Sequence, residues 1–297
     1  IKMGVAKKGE DGSVIIPIPE SDTPEIIQKS DGATIYTTRE LAAIRHRIKK
    51  WKADKILYIA ANQQTFHLQQ VFRCAELLGF AKASQLEHVK FGMILGKKKK
   101  KFATREGRLI PLESVLKEAI ERSLKLVEKL NPDLTKKEKQ KIAEIVGIGA
   151  VKFFDLSQNR FSDITFDWDK MLNLKGASAP YIQYTYSRLK SILRKAPKDS
   201  AKKFNPLFLK TKEELAILSH LLHFPEAIEE SIRLYEPNRL TDYLLRLAEK
   251  VNVFYETTPV LKAEPNLQEC RLALIEAATL IIKNGLKLLG IDVLERM

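Results

Sequence analysis

Two periodicities divide the chain. Up to about residue 110, short apolar runs alternate with polar turns and amphipathic stretches, whereas from about residue 112 onward the apolar stripes keep the 3.6-residue period of helices. Val14–Ile16 and residues 25–27 read as short extended segments, and Ser30-Asp31-Gly32 reads as a turn into an extended stretch at residues 33–36. Thr37-x-x-Glu40 has the spacing of a capping box and opens a helix with Leu41, Ile44 and Ile48 on one stripe. Residues 55–61 (KILYIAA) form a continuous apolar run, the signature of a strand covered on both faces. A polar loop, Asn62-Gln63-Gln64, leads to a helix over residues 66–78 that stops at Gly79, and residues 86–95 give one more strand. Strand, helix, strand, helix, strand predicts a parallel sheet.

In the second part, Val115, Leu116, Ala119, Ile120, Leu124 and Val127 make a helical stripe, and Thr135-x-x-Glu138 and Thr211-x-x-Glu214 cap two later helices. Asn205-Pro206, Phe224-Pro225, Glu236-Pro237 and Thr258-Pro259 cut the pattern into lengths that suit a bundle.

Composition adds limits. Apolar residues at 44% and charged ones at 30% are those of a globular chain. No apolar run approaches the ~18 residues of a membrane span, and residues 1–12 carry charge where a signal peptide needs an apolar stretch. Lysine and arginine exceed the acids by 51 to 37, a net charge of +14, which favours a polyanionic partner through counterion release. Cys74 and Cys270 lack partners at metal-binding spacing and read as buried free thiols of a reducing compartment.

Ligands of an open parallel sheet bind beyond the carboxyl ends of its strands, so the residues just after each strand are the candidates. They are Tyr36 and Glu40, then Gln63, Gln64 and His67, then the lysine run at residues 97–101. An acid, an amide and a phenol suit a cationic ligand with several donors, such as a guanidinium, and the lysines suit phosphates. Each has a plainer reading: Glu40 as the capping acid, the glutamines as loop solvation, His67 as a structural residue, the lysines as a solvated loop. In the helical half Tyr181, Tyr184 and Arg188 share one helix face. Aromatic platforms beside a guanidinium suit unpaired bases, at about 1–3 kcal/mol per stacked base. The plainer reading buries both tyrosines in the core.

These stretches, in this order, resemble the arginyl-tRNA synthetases. Similarity runs from Gln28-Lys29-Ser30-Asp31-Gly32 and Tyr36-Thr37-Thr38-Arg39-Glu40-Leu41, through Asn62-Gln63-Gln64 to His67-x-x-Gln70 and His88-Val89-Lys90-Phe91-Gly92-Met93. It continues in Lys101-Phe102-Ala103-Thr104-Arg105, a degenerate form of the KMSKS loop, in Phe166-Asp167-Trp168-Asp169-Lys170-Met171, in Pro180-Tyr181-x-Gln183-Tyr184, and to Leu294-Glu295-Arg296-Met297. The resemblance implies an incomplete Rossmann-type parallel-sheet domain with the signature loop (residues 1–112), a helical connection (113–172) and an α-helical anticodon-binding bundle (173–297). It implies that Tyr36, Glu40 and Gln64 contact arginine, that His67, Lys101, Phe102 and Ala103 contact ATP, and that Lys101, Thr104 and Arg105 serve catalysis. Tyr181, Tyr184, Arg188 and Met297 would receive anticodon bases. It further implies ATP with Mg2+ as substrate, no tightly bound cofactor, tRNA(Arg) as partner, no DNA or membrane partner, a cytoplasmic location and a monomeric full-length enzyme. Three departures stand out: position 40 is usually aspartate in the family, Thr104 stands where the common class I signature has its second lysine, and no HIGH-like motif occurs in the 297 residues. With Ile1 in first place, this leads to the expectation of a fragment inactive alone; the alternative is a separate tRNA-binding module derived from a synthetase.

Overall fold

The computed structural model describes residues 1–96, 110–197 and 204–297. They group into two units, residues 1–93 with 161–163, and residues 94–160 with 164–297.

In the first unit β1 (Lys7–Lys8), β2 (Val14–Ile16) and β3 (Glu25–Gln28) form an antiparallel sheet in that order. Helix α1 (Tyr36–Lys49) follows, then β4 (Ile56–Ala61), α2 (Thr65–Leu77) and β5 (Leu86–Phe91). Strands β4 and β5 pair in parallel, with Ile56 opposite Leu86 and Ala61 opposite Phe91. Ile44, Val71, Cys74 and Ala75 are fully buried, joined by Leu41, Ile56 and Leu86. The expected parallel arrangement is therefore present as one strand pair.

Residues 33–36 are not a strand, and the reason is local. The Ile35 backbone N–H donates to Thr38 Oγ1 (3.0 Å) and Thr38 Oγ1 donates to the Ile27 carbonyl, so the chain turns into α1 at Tyr36. The capping acceptor is thus Thr38, and Thr37 instead donates to the Glu25 carboxylate; the expected Thr37–Glu40 capping box does not form. Helix α2 ends as expected at Gly79, whose φ of +65° closes the turn.

The expected strand over residues 86–95 is interrupted at Gly92, where an added Cβ would lie 2.3 Å from the Ser162 carbonyl oxygen. Beyond it β6 (Ile94–Leu95), in the second unit, pairs in parallel with β7 (Ile164–Thr165). The helices of that unit are α3 (Leu112–Leu130), α4 (Lys136–Leu156), α5 (Trp168–Met171), α6 (Ala179–Lys195), α7 (Lys212–Leu222), α8 (Phe224–Leu234), α9 (Asn238–Thr257) and α10 (Pro265–Leu288). The α3 stripe is realised with Val115, Ala119 and Val127 buried. Close approach of α4 is set by Gly147, where a Cβ would meet the Ala119 backbone at 2.8 Å. Both predicted caps form, with Thr135 and Thr211 accepting from the N–H groups of Glu138 and Glu214; each is worth about 1 kcal/mol.

Leu189, Leu244, Leu247, Ile282 and Leu286 are fully buried at the centre of the bundle. The last residues are laid across α6: Gln183 donates to the Asp292 carbonyl (2.8 Å), Ser187 to that of Leu294 (2.5 Å) and Arg194 to that of Glu295 (2.8 Å). Neither cysteine forms a disulfide, and both are buried. Among the described residues no helix is long and apolar enough to cross a membrane.

Candidate functional site

The first cluster forms where α1, β4 and α2 meet. Because Thr38 takes the capping position, the Glu40 side chain is released from its helix end and lies half-buried. Its charge and its acceptor oxygens face two phenols. The Glu40 carboxylate raises the Tyr36 hydroxyl above its ordinary value, first through its charge and then, after desolvation, by accepting its hydrogen bond. Tyr58 is raised further, by burial above all and then by the same carboxylate. Both phenols thus stay protonated donors throughout the physiological range.

The Tyr36 ring lies 5.1 Å from that of His67, whose Nε2 is buried without a hydrogen-bond partner. Gln63 and Gln64 sit exposed in the single turn that follows β4. The structure therefore brings Tyr36, Glu40 and His67 together and places Gln64 on the adjoining turn. It also adds two residues that sequence reasoning missed. Tyr58 projects from β4 and accepts a hydrogen bond from Arg47 Nη1 (3.3 Å). The available signal was a phenol inside an otherwise aliphatic strand, with Arg47 seven residues beyond Glu40 on the same helix face. A half-buried carboxylate beside two neutral phenols keeps its charge and lone pairs for a guanidinium fork.

The second cluster lies on α6 and α9. The Arg188 guanidinium is sandwiched, 4.8 Å from the Tyr184 ring centre and 4.5 Å from that of Tyr255. Its Nη1 donates to Asn252 Oδ1 (2.9 Å), and Asn252 in turn donates to Thr185 Oγ1 (2.7 Å). Held so, Arg188 stiffens both rings, which stay partly exposed as stacking platforms. Beside them runs a cleft of about 280 Å³ lined by Arg188, Lys195, Tyr255, Pro259 and Lys262. Tyr184 and Arg188 are together as the shared face predicts, and Tyr255 and Asn252 join them from a helix whose apolar stripe gave no hint of a site. Tyr181 is half-buried against the bundle core, and Met297 rests on Val127, Ile142 and Val146 of the α3–α4 pair. Lys101, Phe102, Ala103, Thr104 and Arg105 lie outside the described residues.

Residues 2–168 match the family model for the catalytic domain of class I (R) tRNA synthetases. The chain belongs to the arginyl-tRNA synthetase family. Residues 182–297 match the DALR anticodon binding domain, which covers α6, α9 and the second cluster. Among curated relatives, the chain is 44% identical over 273 residues to an arginine–tRNA ligase of Laribacter hongkongensis, covering 92% of this chain and 47% of that protein. It is 40% identical over 305 residues to the ligase of Hamiltonella defensa, covering 100% of this chain and 53% of the relative. The Thermus thermophilus arginyl-tRNA synthetase structure superposes with a TM-score of 0.88 at 25% identity, over 99% of this chain and 56% of that one. This synthetase chain thus spans about half the length of the relatives it matches.

Proposed function

We propose that the chain works within an arginine–tRNA ligase, which activates arginine with ATP and transfers it to tRNA(Arg) in translation. The observation that carries this is the Glu40 carboxylate, freed from helix capping and half-buried, whose charge raises the Tyr36 and Tyr58 phenols, in a chain of the arginyl-tRNA synthetase family. Glu40 would accept the substrate guanidinium, with the Tyr36 phenol and the Gln64 amide beside it. His67, with its unpartnered Nε2, would donate toward ATP, and Lys101 and Arg105 would face the phosphates that Mg2+ accompanies, with Phe102, Ala103 and Thr104 in the same loop.

Residues 1–112 are the proposed catalytic part, 113–172 the helical connection and 173–297 the anticodon-binding part. There Tyr184 and Arg188, with Tyr255, would hold anticodon bases, and Tyr181 and Met297 would border them. The enzyme would act in the cytoplasm as a monomer. Retention of the Tyr36–Glu40–Tyr58 cluster disfavours a tRNA-binding module that has lost its amino-acid site.

Adenylate formation draws on cationic and donor groups around the α-phosphate and pyrophosphate, and no HIGH-like motif is present to supply its share. Arginine binding and arginine-dependent ATP–pyrophosphate exchange test both points. The expected result is binding of L-arginine in preference to neutral, near-isosteric L-citrulline, with no exchange by this polypeptide alone. Equal affinity for the two amino acids contradicts the role of Glu40, and exchange by the chain alone contradicts the inactivity.

A further inference from the structure

We infer that Trp51 and the lysines around it, at the far end of α1 from Tyr36, form a further surface for an unpaired RNA strand: the indole stacks on one base and the lysines receive the flanking phosphates. Its residues belong to the first unit and to neither cluster described above.

Lys49-Lys50-Trp51-Lys52 closes α1. A helix of 14 residues puts this end about 20 Å from Tyr36, just ahead of β4. Lys52 takes the left-handed backbone (φ +56°), and the Ala53 N–H returns to the Arg47 carbonyl (3.2 Å), so the chain doubles back and leaves Trp51 on the outside of the turn. The indole is 68% exposed, and His46 braces it edge-on, with ring centres 5.5 Å apart. A second turn, between α2 and β5, lies beside the first: Gln85 Nε2 donates to the Ala53 carbonyl (3.5 Å), and Arg45 lies over the Phe80 ring, 5.6 Å from its centre. That turn brings Lys82. Lys49, Lys50, Lys52 and Lys82 are exposed and enter no ion pair among the described residues, whereas Lys55 is paired with Glu87 (3.3 Å).

An exposed indole leaves apolar surface in water, and lysines set close together repel one another. Both are relieved by a ligand that is anionic and carries flat rings, which describes an unpaired polynucleotide. Every base has a π-face, so the surface grips a strand without reading its sequence. A lipid surface fits less well. Between Tyr36 and Leu57, Trp51 is the one large hydrophobic residue that is exposed, and anchoring in a membrane interface draws on a broader apolar face. A protein partner also fits less well, because lysine is depleted from the buried cores of such interfaces.

The test uses the full 297-residue chain carrying W168F, which leaves Trp51 as its one tryptophan, with thermal melting to confirm folding. Trp51 emission is followed while a short oligouridylate, an abasic phosphodiester oligomer of equal length, or vesicles of phosphatidylserine and phosphatidylcholine are added. The expected result is quenching by the oligouridylate, with the abasic oligomer bound about 5- to 100-fold more weakly for want of one stacked base. The triple variant K49Q/K50Q/K52Q should weaken the oligouridylate response and make the slope of log affinity against log salt shallower by about 2, the share of three phosphate contacts on a single strand. No quenching by the oligouridylate, equal affinity for the abasic oligomer, or a salt slope unchanged in the triple variant each overturns the inference. A blue shift on vesicles without a response to the oligouridylate assigns the patch to a lipid surface and overturns it as well. If W168F does not fold, the Trp51 signal is taken as the difference between the parent chain and W51F, and the same outcomes decide.

Discussion

The helical unit and the α/β unit solve the problem of apolar surface differently. In the bundle, α6, α7, α9 and α10 enclose Leu244, Leu247 and Ile282 completely, and the terminal residues are hydrogen-bonded across α6. In the α/β unit the two-stranded parallel sheet leaves Leu57 44%, Ile59 73% and Phe91 42% exposed. Parallel strands are ordinarily covered on both faces, and a two-stranded sheet adds little stability of its own. The bundle thus encloses its own core, whereas the α/β unit orders a few side chains between α1, β4 and α2. The unit that closes on itself carries the aromatic–guanidinium sandwich; the open one carries the carboxylate and its phenols.

The largest expected effect probes the bundle's buried ion pair. Glu214 is 1% and Arg271 8% exposed at the side chain, joined at 2.6 Å. Burial pushes Glu214 upward, but the Thr211 and Lys210 N–H donors and Arg271 outweigh it and hold the carboxyl below its ordinary value. R271M strands that charge and should cost about 3–5 kcal/mol, read by urea melting of the bundle with the α/β unit unaffected. The parent's share is present above the ordinary glutamate value of 4.5 and lost as pH falls through the depressed folded-state value. The deficit of R271M should therefore be greatest at neutral pH and shrink in acid.

A matched pair comes next. L244A empties a fully buried site and should cost about 2–5 kcal/mol, while I59T on the open strand should change stability by under ~0.5 kcal/mol and reduce binding of a hydrophobic dye. Equal costs would erase the contrast between the units. G147A should cost about 1–3 kcal/mol, because its Cβ meets backbone that cannot step aside; thermal melting measures it. The smallest effect concerns His220, stacked on Tyr243 at 4.4 Å. Burial lowers its value from 6.5 despite its bond to the Tyr243 carbonyl, so the unfolded chain takes up the proton first. Stability should decline slightly as pH falls below 6.5, and less so in H220Q.

Much of this was legible in the chain. The Thr135–Glu138 and Thr211–Glu214 boxes could be read because each cap and its acid lie within four residues, and the α3 stripe because helical period is a local signal. The Thr37–Glu40 box misled because Thr38 and Glu25, twelve residues before Thr37, decide which hydroxyl serves the helix. His67 could be placed by the rule of strand ends because it follows β4, whereas Tyr36 and Glu40 were grouped with it through a strand at residues 33–36 that does not form. Tyr58 escaped because it sits within a strand, and Tyr255 and Asn252 because their partner Arg188 is more than sixty residues away in sequence. Long-range pairing of polar groups leaves no periodic trace.

The proposed anticodon role of the Arg188 sandwich is tested most directly by equilibrium binding of the chain to two tRNAs across a salt series. One is a tRNA(Arg) transcript and the other the same transcript with its anticodon bases replaced. The prediction is tighter binding of the first at every salt concentration, with Y255A and R188A removing the difference while leaving most of the salt dependence, since phosphate contacts carry the latter. Equal affinities for the two transcripts would contradict it.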